Sequence, residues 1–262
     1  MDRVDAPGGP RCDSRAPFAP PELVTAFDPT AEYVKDAVLS RDELEAFYLR
    51  YQGSGNWDLR HARRASRDAG WGTPVTEAVT PSPDGTLSLT AGDLRLYFWT
   101  IDSNYRTTRA TTNDPFATPA KFDVASGPQA FFVAADDTAY FAKYEGDGSP
   151  EKFIKRASVN SSGFSFSSVT VANIHLGGSN DSHPVLNASE TVMYLASNLP
   201  GGKGLDDVWV TGRASKQAEF AAPVHVPELS TDEPDAVTWI AEDGCEAFLY
   251  RASHVYLARR PR

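Results

Sequence analysis

The sequence predicts an all-β fold, a five-bladed β-propeller of four-stranded antiparallel blades. Three observations carry that expectation. A unit of apolar strand, short polar turn and aromatic-rich strand occurs five times; a third strand ending in a basic residue follows each; and the strand missing from the last unit stands at the start of the chain.

The five hairpins are "AVLSRDELEAFYLR" (37–50), "LSLTAGDLRLYFWT" (87–100), "AFFVAADDTAYFAK" (130–143), "PVLNASETVMYLAS" (184–197) and "VTWIAEDGCEAFLYR" (237–251). Their landmark apolar residues, Leu39, Leu89, Val133, Leu186 and Ile240, lie about 44 to 54 positions apart. The central turns hold Asp, Gly, Asn and Ser, which suit tight reversals. The third strands bring Arg64, Arg109, Arg156, Arg213 and Arg260 to one repeated position. A residue repeated at blade spacing serves the blade, so these arginines read as structural.

A fourth strand follows an aromatic residue and a proline: Trp71 with Pro74, Phe116 with Pro119, and Phe220 with Pro223. Outer strands tolerate proline because one edge is unpaired. Unit three diverges here, with "GFSFSSVTVANI" and no such proline. The fifth unit stops at Arg262 after three strands, and "RCDSRAPFAPPELV" (11–24) carries Phe18 and Pro21 at the matching spacing. The N-terminal strand is therefore expected to complete the C-terminal blade and close the ring. The expected blades run about 30–80, 81–125, 126–176, 177–229 and 230–262 plus 11–27, after a flexible segment at 1–10.

This closure has a chemical corollary. Cys245 starts the second strand of unit five, and Cys12 falls just past the end of a third-strand position. In an antiparallel pair those points are neighbours, so Cys12 and Cys245 are expected to form a disulfide that locks the ring. A bonded pair implies an oxidising compartment, hence the periplasm, the cell surface or the exterior. Residues 1–10, "MDRVDAPGGP", lack the apolar stretch of a secretory leader, so an exported protein would have lost its leader from this sequence.

At 262 residues with 41% hydrophobic content the chain can bury a sizeable core, and no apolar run approaches a bilayer span. Net charge is −10, which argues against nucleic acid as a partner and leaves glycans, cations and proteins. A monomer with no membrane insertion is expected.

On the hairpins "SRDELEAFYL" and "EDGCEAFLY", the stretch "SNLPGGKGLDDVWVTGRAS" and the F-A-x-P-V strand opening, the chain resembles the TolB-like, WD-repeat-like β-propeller proteins of bacterial envelopes over about residues 11–262. "SPDG" at 82–85 looks like that family's turn but lies out of phase, before the first strand of blade two. The resemblance implies binding of a protein or another envelope component, and rarely catalysis. TolB itself has a longer propeller and an additional domain, so its partner does not transfer.

The chemistry-bearing motifs are sparse. The five histidines and two cysteines show no metal-ligand spacing, and there is no nucleophile elbow, P-loop or dinucleotide fingerprint. No catalytic residue, metal or cofactor is expected, and "GGKG" at 201–204 reads as a hairpin loop. The segments entering the inner strands offer Asp36, Asp84, Gln129, Asp181, His183 and Asp235 as a ring at one mouth of the channel. Loops after the hairpins open on the same face and add Tyr51, Tyr105 and Tyr144, apolar faces for a sugar ring or a protein anchor. The expected function is a non-catalytic module binding a protein or carbohydrate ligand at this mouth. The alternative is a glycoside hydrolase using funnel carboxylates such as Asp36 or Asp235.

Overall fold

The computed structural model describes residues 11–262 apart from 28–32, 91, 102, 122–129, 145–150, 161–162 and 165–167, and without the side chains of 160, 163 and 164. It is a five-bladed propeller. Blade one is β2 (Val34–Leu39), β3 (Glu45–Gly53), β4 (Asn56–Arg63) and β5 (Val75–Thr76), running outward from the channel. Blade two follows as β6 (Gly85–Thr90), β7 (Arg95–Trp99), β8 (Asn104–Thr108) and β9 (Ala120–Lys121). Blade three is β10 (Phe131–Val133), β11 (Thr138–Tyr144) and β12 (Lys152–Asn160), its outer edge shared by β13 (Gly163–Phe164) and β14 (Val169–Thr170). Blade four is β15 (Asp181–Leu186), β16 (Val192–Ser197), β17 (Asp207–Gly212) and β18 (Val224–His225). Blade five is β19 (Asp235–Ile240), β20 (Glu246–Arg251) and β21 (His254–Arg259), completed by the N-terminal β1 (Glu22–Leu23). Among the described residues one 3-10 turn, Pro227–Leu229, is the only helical segment.

The outer strands explain the proline pattern. The chain first docks through a backbone N–H just after each aromatic residue: Gly72 to Arg63, Ala117 to Thr108, Ala221 to Gly212 and Ala19 to Arg259. The proline then occupies a position that needs no donor, and the two-residue ladder begins at the next residue. Ring closure is antiparallel, Glu22 opposite Leu257, and is fastened by the Cys12–Cys245 disulfide, Cα–Cα 5.7 Å.

Each hairpin between first and second strands carries a left-handed residue before its second strand: Glu43, Asp93 (preceded by the equally left-handed Gly92), Asp137, Glu190 and Gly244, with φ between 54° and 73°. The repeated arginines bind the carbonyls of those residues. Arg64 Nε donates to Glu43 O (2.7 Å), Arg109 to Asp93 O (2.8 Å), Arg213 to Glu190 O (2.7 Å) and Arg260 to Gly244 O (3.0 Å). Each guanidinium also lies over its blade's outer aromatic, Trp71, Phe116, Phe220 and Phe18, at 4.0–4.9 Å. The second face of the fork then crosses to the preceding blade: Arg109 to Glu45 (2.6 Å), Arg213 to Tyr140 Oη (2.9 Å) and Arg260 to Tyr194 Oη (3.2 Å).

Two seams depart from this scheme. Strand register puts Val159 in blade three where the other blades have arginine, because Val159 N bonds Asp137 O as Arg64 N bonds Leu44 O. Arg156, expected at that position, is three residues early and faces solvent. Seam two–three is instead joined by Arg95 of β7 to Asp137. At seam five–one the buried Arg64 Nη2 has no hydrogen-bond partner. Arg11 takes over, bonding Glu43 (2.7 and 2.8 Å) and Asp243 (2.5 and 2.8 Å) and so tying the two hairpins together.

Apolar packing fills the space between blades. Tyr140 and Ile154 of blade three meet Leu186, Leu195 and Trp209 of blade four, and Phe27 stacks on Tyr48 (4.4 Å) where the N-terminal strand passes blade one. The Glu45 carboxyl shows how polar the hairpin end is allowed to be. Burial raises its pKa, but hydrogen bonds from His61 and Arg109 prevail and hold it at about 2.

Candidate functional site

Three inner strands enter the channel through an irregularity that the other end of the blade lacks. In β2 the residues Asp36 and Ala37 share one partner, Tyr48; in β6 Thr86 is extra between Gly85 and Leu87; in β15 His183 and Pro184 share Leu195. Each bulge places one non-glycine residue in the left-handed region: Asp36 at φ 54°, Thr86 at 44° and His183 at 48°. Such residues cost roughly 1–2 kcal/mol each and gather at functional sites. His183 is doubly constrained, since the proline after it disfavours its helical conformations as well. In β19 the extra residue is Thr238, deeper in the strand, and its hydroxyl donates to Ala37 O (2.8 Å). Blade five thereby braces the blade-one bulge without making a strained one of its own.

These bulges open into a cavity of about 480 Å³ at the mouth formed by the loops into the inner strands and after the hairpins. Asp36 Oδ2 accepts the Thr86 N–H (3.2 Å), joining two of the bulges. Trp99, ending β7, lies across Gly85, where a Cβ would come within 3.3 Å of the indole. Lys35 Nζ sits 3.9 Å over Trp57 and donates to Asp84 O (2.6 Å), so its charge is already engaged. Blade three supplies Lys143, Tyr144 and Lys152, blade four His183 and Asp206, and blade five Tyr250.

The electrostatics here are unlike those of the hairpin end. Burial lowers the His183 pKa; Asp36 and Asp206 pull it up, while Lys152 and Lys35 push it down, and the neutral imidazole is favoured. Its Nδ1 is 3.0 Å from Ser182 Oγ. Burial raises the Asp206 carboxyl, with His183 and Lys152 opposing and Asp207 adding to the rise. Among the described residues no group of three His, Cys, Asp or Glu side chains is arranged to hold a metal.

Of the residues expected at the mouth, Asp36, Asp84, His183 and Tyr144 line this cavity together. Asp181 does not. It is fully buried, accepting Ser197 Oγ (2.6 Å) and facing His175 Nδ1 (3.1 Å), and it builds the blade-four wall behind the pocket. Asp235 is likewise buried, accepting Thr231 N (2.6 Å) and Oγ1 (2.8 Å) and pairing with Arg251. Strict alternation would put Asp181 on the face of His183, but the bulge at His183–Pro184 breaks it, while β19 has no bulge at the depth of Asp235, its extra residue being Thr238. Tyr51 packs between Trp57 (5.2 Å) and Tyr33 (5.8 Å) on the rim of blade one. Tyr105 stacks on Phe98 (5.6 Å) in the blade core. Gln129 lies outside the described residues.

The sequence reading missed Lys35, Thr86, Trp99, Lys143, Lys152, Asp206 and Tyr250. Trp99 and Tyr250 had a usable signal, since both stand six residues after the left-handed hairpin residue of their blades. The "GGKG" loop behaves as a hairpin connection. A Cβ on Gly202 would collide with the Asp207 carboxylate at 1.9 Å, and Lys203 Nζ is spent on the Pro227 and Ser230 carbonyls.

No protein-family model and no curated protein matches this sequence. Among solved structures it is similar to a protein assigned as a TolB from Agrobacterium tumefaciens, at 13% identity and TM-score 0.53 over 94% of this chain and 91% of that one. The likeness is one of propeller fold. The chain is equally similar to an α-L-arabinofuranosidase from Lactobacillus brevis, at 10% identity and TM-score 0.54 over 91% and 92% of the two chains. An α-L-arabinofuranosidase from Podospora anserina, solved in complex with cellotriose, gives 11% and 0.54 over 95% and 98%. The chain spans about half the length, 54%, of a TolB from Acinetobacter baumannii. At such identities the likeness is one of fold. No helix among the described residues is long and apolar enough to cross a membrane.

Proposed function

We propose that the protein is a non-catalytic binding module of the periplasm or cell surface that takes a glycan at the mouth of its channel. The observation that carries this reading is the convergence of three strained bulges, bearing Asp36, Thr86 and His183, on one cavity edged by Trp99, Tyr144 and Tyr250. Sugars are held by carboxylates and imidazoles that bond their hydroxyls and by aromatic faces that cover their rings. A concave pocket of about 480 Å³ suits one or two sugar rings, whereas a protein partner calls for roughly 800 Å² of flatter surface. The Cys12–Cys245 disulfide supports an oxidising compartment.

The test is a glycan array followed by calorimetry on the best ligand. Asp36→Ala is expected to weaken binding about tenfold or more, the order expected for losing a charged hydrogen bond. A ligand that binds equally well after this change would place recognition elsewhere. One observation favours a hydrolase as the second reading: the raised carboxyl of Asp206 is what a general acid needs. Turnover of chromogenic glycosides, abolished by Asp206→Asn and by Asp36→Ala, would replace the binding-only reading.

A further inference from the structure

Resting on the glycan reading, we infer that the mouth prefers an acidic sugar, a hexuronate end whose carboxylate is taken by Lys143 and Lys152 of blade three. Arg11, Arg64, Arg109, Arg213 and Arg260 are bonded into turns and seams, Lys203 is bonded to backbone carbonyls, and Lys216 to Glu190 (2.5 Å). Lys35, in the cavity itself, is committed to Asp84 O and Trp57.

Lys143 and Lys152 differ. Both line the cavity, and among the described residues neither ammonium has an ion-pair partner within 4 Å, Lys152 acting on the Asp206 carboxyl only from a distance. Glu151, the sequence neighbour of Lys152, pairs with His175 (3.3 Å). Lys152 Nζ lies 5.1 Å from the ring of Tyr144, itself 51% exposed, so cation and aromatic face form one platform. In a chain of net charge −10, two unpaired lysines on one wall of a concave site form a localised positive patch.

The other walls carry the complementary chemistry. Asp84 of blade two and Asp206 of blade four have carboxylates without a hydrogen-bond partner among the described residues, and Asp36 and His183 lie beside them in the cavity. Carboxylates accept from hydroxyls and repel a free anion, so they orient a uronate with its hydroxyls toward blades one, two and four. Its ring then covers Tyr144 and its carboxylate meets the two lysines. A neutral sugar satisfies the acidic side only and leaves the lysines solvated.

The experiment measures affinity by calorimetry for tetragalacturonate, for its methyl ester and for a neutral galacto-oligosaccharide, at two NaCl concentrations. Tetragalacturonate is expected to bind about tenfold more tightly than its ester, with a salt dependence the neutral ligand lacks. Lys143→Gln and Lys152→Gln should each remove most of that preference while shifting the melting temperature little, since among the described residues neither ammonium makes a hydrogen bond or an ion pair and Lys152 loses only its approach to the half-exposed Tyr144 ring. Equal affinity for ester and acid overturns the acidic-sugar inference and leaves glycan binding standing. Absence of binding by all three, together with an array on which neutral glycans also fail, overturns both. A preference for acid that survives both lysine changes overturns the assignment to blade three.

Discussion

In the hairpins at one end of the channel stand the left-handed residues Glu43, Asp93, Asp137, Glu190 and Gly244; in the inner-strand bulges at the mouth stand Asp36, Thr86 and His183. The backbone sign is shared, and what surrounds it differs. Glu190 is 5% exposed, accepts Tyr140 Oη (3.0 Å) and Lys216 Nζ (2.5 Å), and offers its carbonyl to Arg213. The same end carries the disulfide, the Arg11 fork and the arginine–aromatic clamps. At the mouth, Asp84, Asp206, Lys143 and Lys152 stand with His183 in one cavity and, among the described residues, without charged hydrogen-bond partners. The comparison teaches a division of labour within each blade. Cross-links concentrated at one end leave the other free to hold strain and unpaired charge, the condition of a binding site.

Opening the fastened end should produce the largest effect. Cys12→Ser with Cys245→Ser removes a cross-link over 233 positions, for which loop entropy gives up to about 5 kcal/mol. Guanidinium denaturation of the double variant against the parent measures it. A loss below about 1 kcal/mol would mean that Arg11 and β1 close the ring unaided. Next in size is Glu190→Gly. Glycine relieves the φ of 54°, yet the change strands Arg213, Tyr140 and Lys216 beside a vacated buried carboxylate site. Breaking such a pair typically costs about 3 kcal/mol, which outweighs the relief. A thermal melt that moves upward would show that strain, and not the ion network, dominates there.

How much of this was legible in the sequence follows from the same division. Repeat order, ring closure and the Cys12–Cys245 bond could be read because they depend on strand order and on residues repeated at blade spacing. The arginine clamp was visible in four blades and misplaced in the third, where Arg156 stood close enough to the pattern to hide that register puts Val159 there. The mouth was legible as a face, with Asp36, Asp84, His183 and Tyr144 on it. The individual lumen residues were not, since each bulge adds one residue to a ladder whose faces alternate. That is why Asp181, two positions before His183 and on the other side of the bulge, turns into the wall. Lys143 and Lys152 carry no sequence signal, because pairing is a property of three-dimensional neighbours.

The smallest expected effect is the one that separates the two ends most sharply. His183→Gly makes at the mouth the change that Glu190→Gly makes at the hairpin end, at nearly the same φ, 48° against 54°. Here, among the described residues, the side chain forms a hydrogen bond only to Ser182 Oγ, and the residue is followed by Pro184, which narrows its backbone further. Relief of about 1–2 kcal/mol of left-handed strain is set against about 1 kcal/mol of extra glycine entropy in the unfolded chain. The net gain is therefore small, about 0.5 kcal/mol, opposite in sign to the loss at Glu190. Affinity for the mouth ligand should fall at the same time, since an imidazole held neutral in the cavity is gone. Paired chemical melts and calorimetry on the two glycine variants read both quantities. If His183→Gly destabilises the fold as Glu190→Gly does, the mouth bulges are part of the scaffold, and strain there is no guide to where the ligand sits.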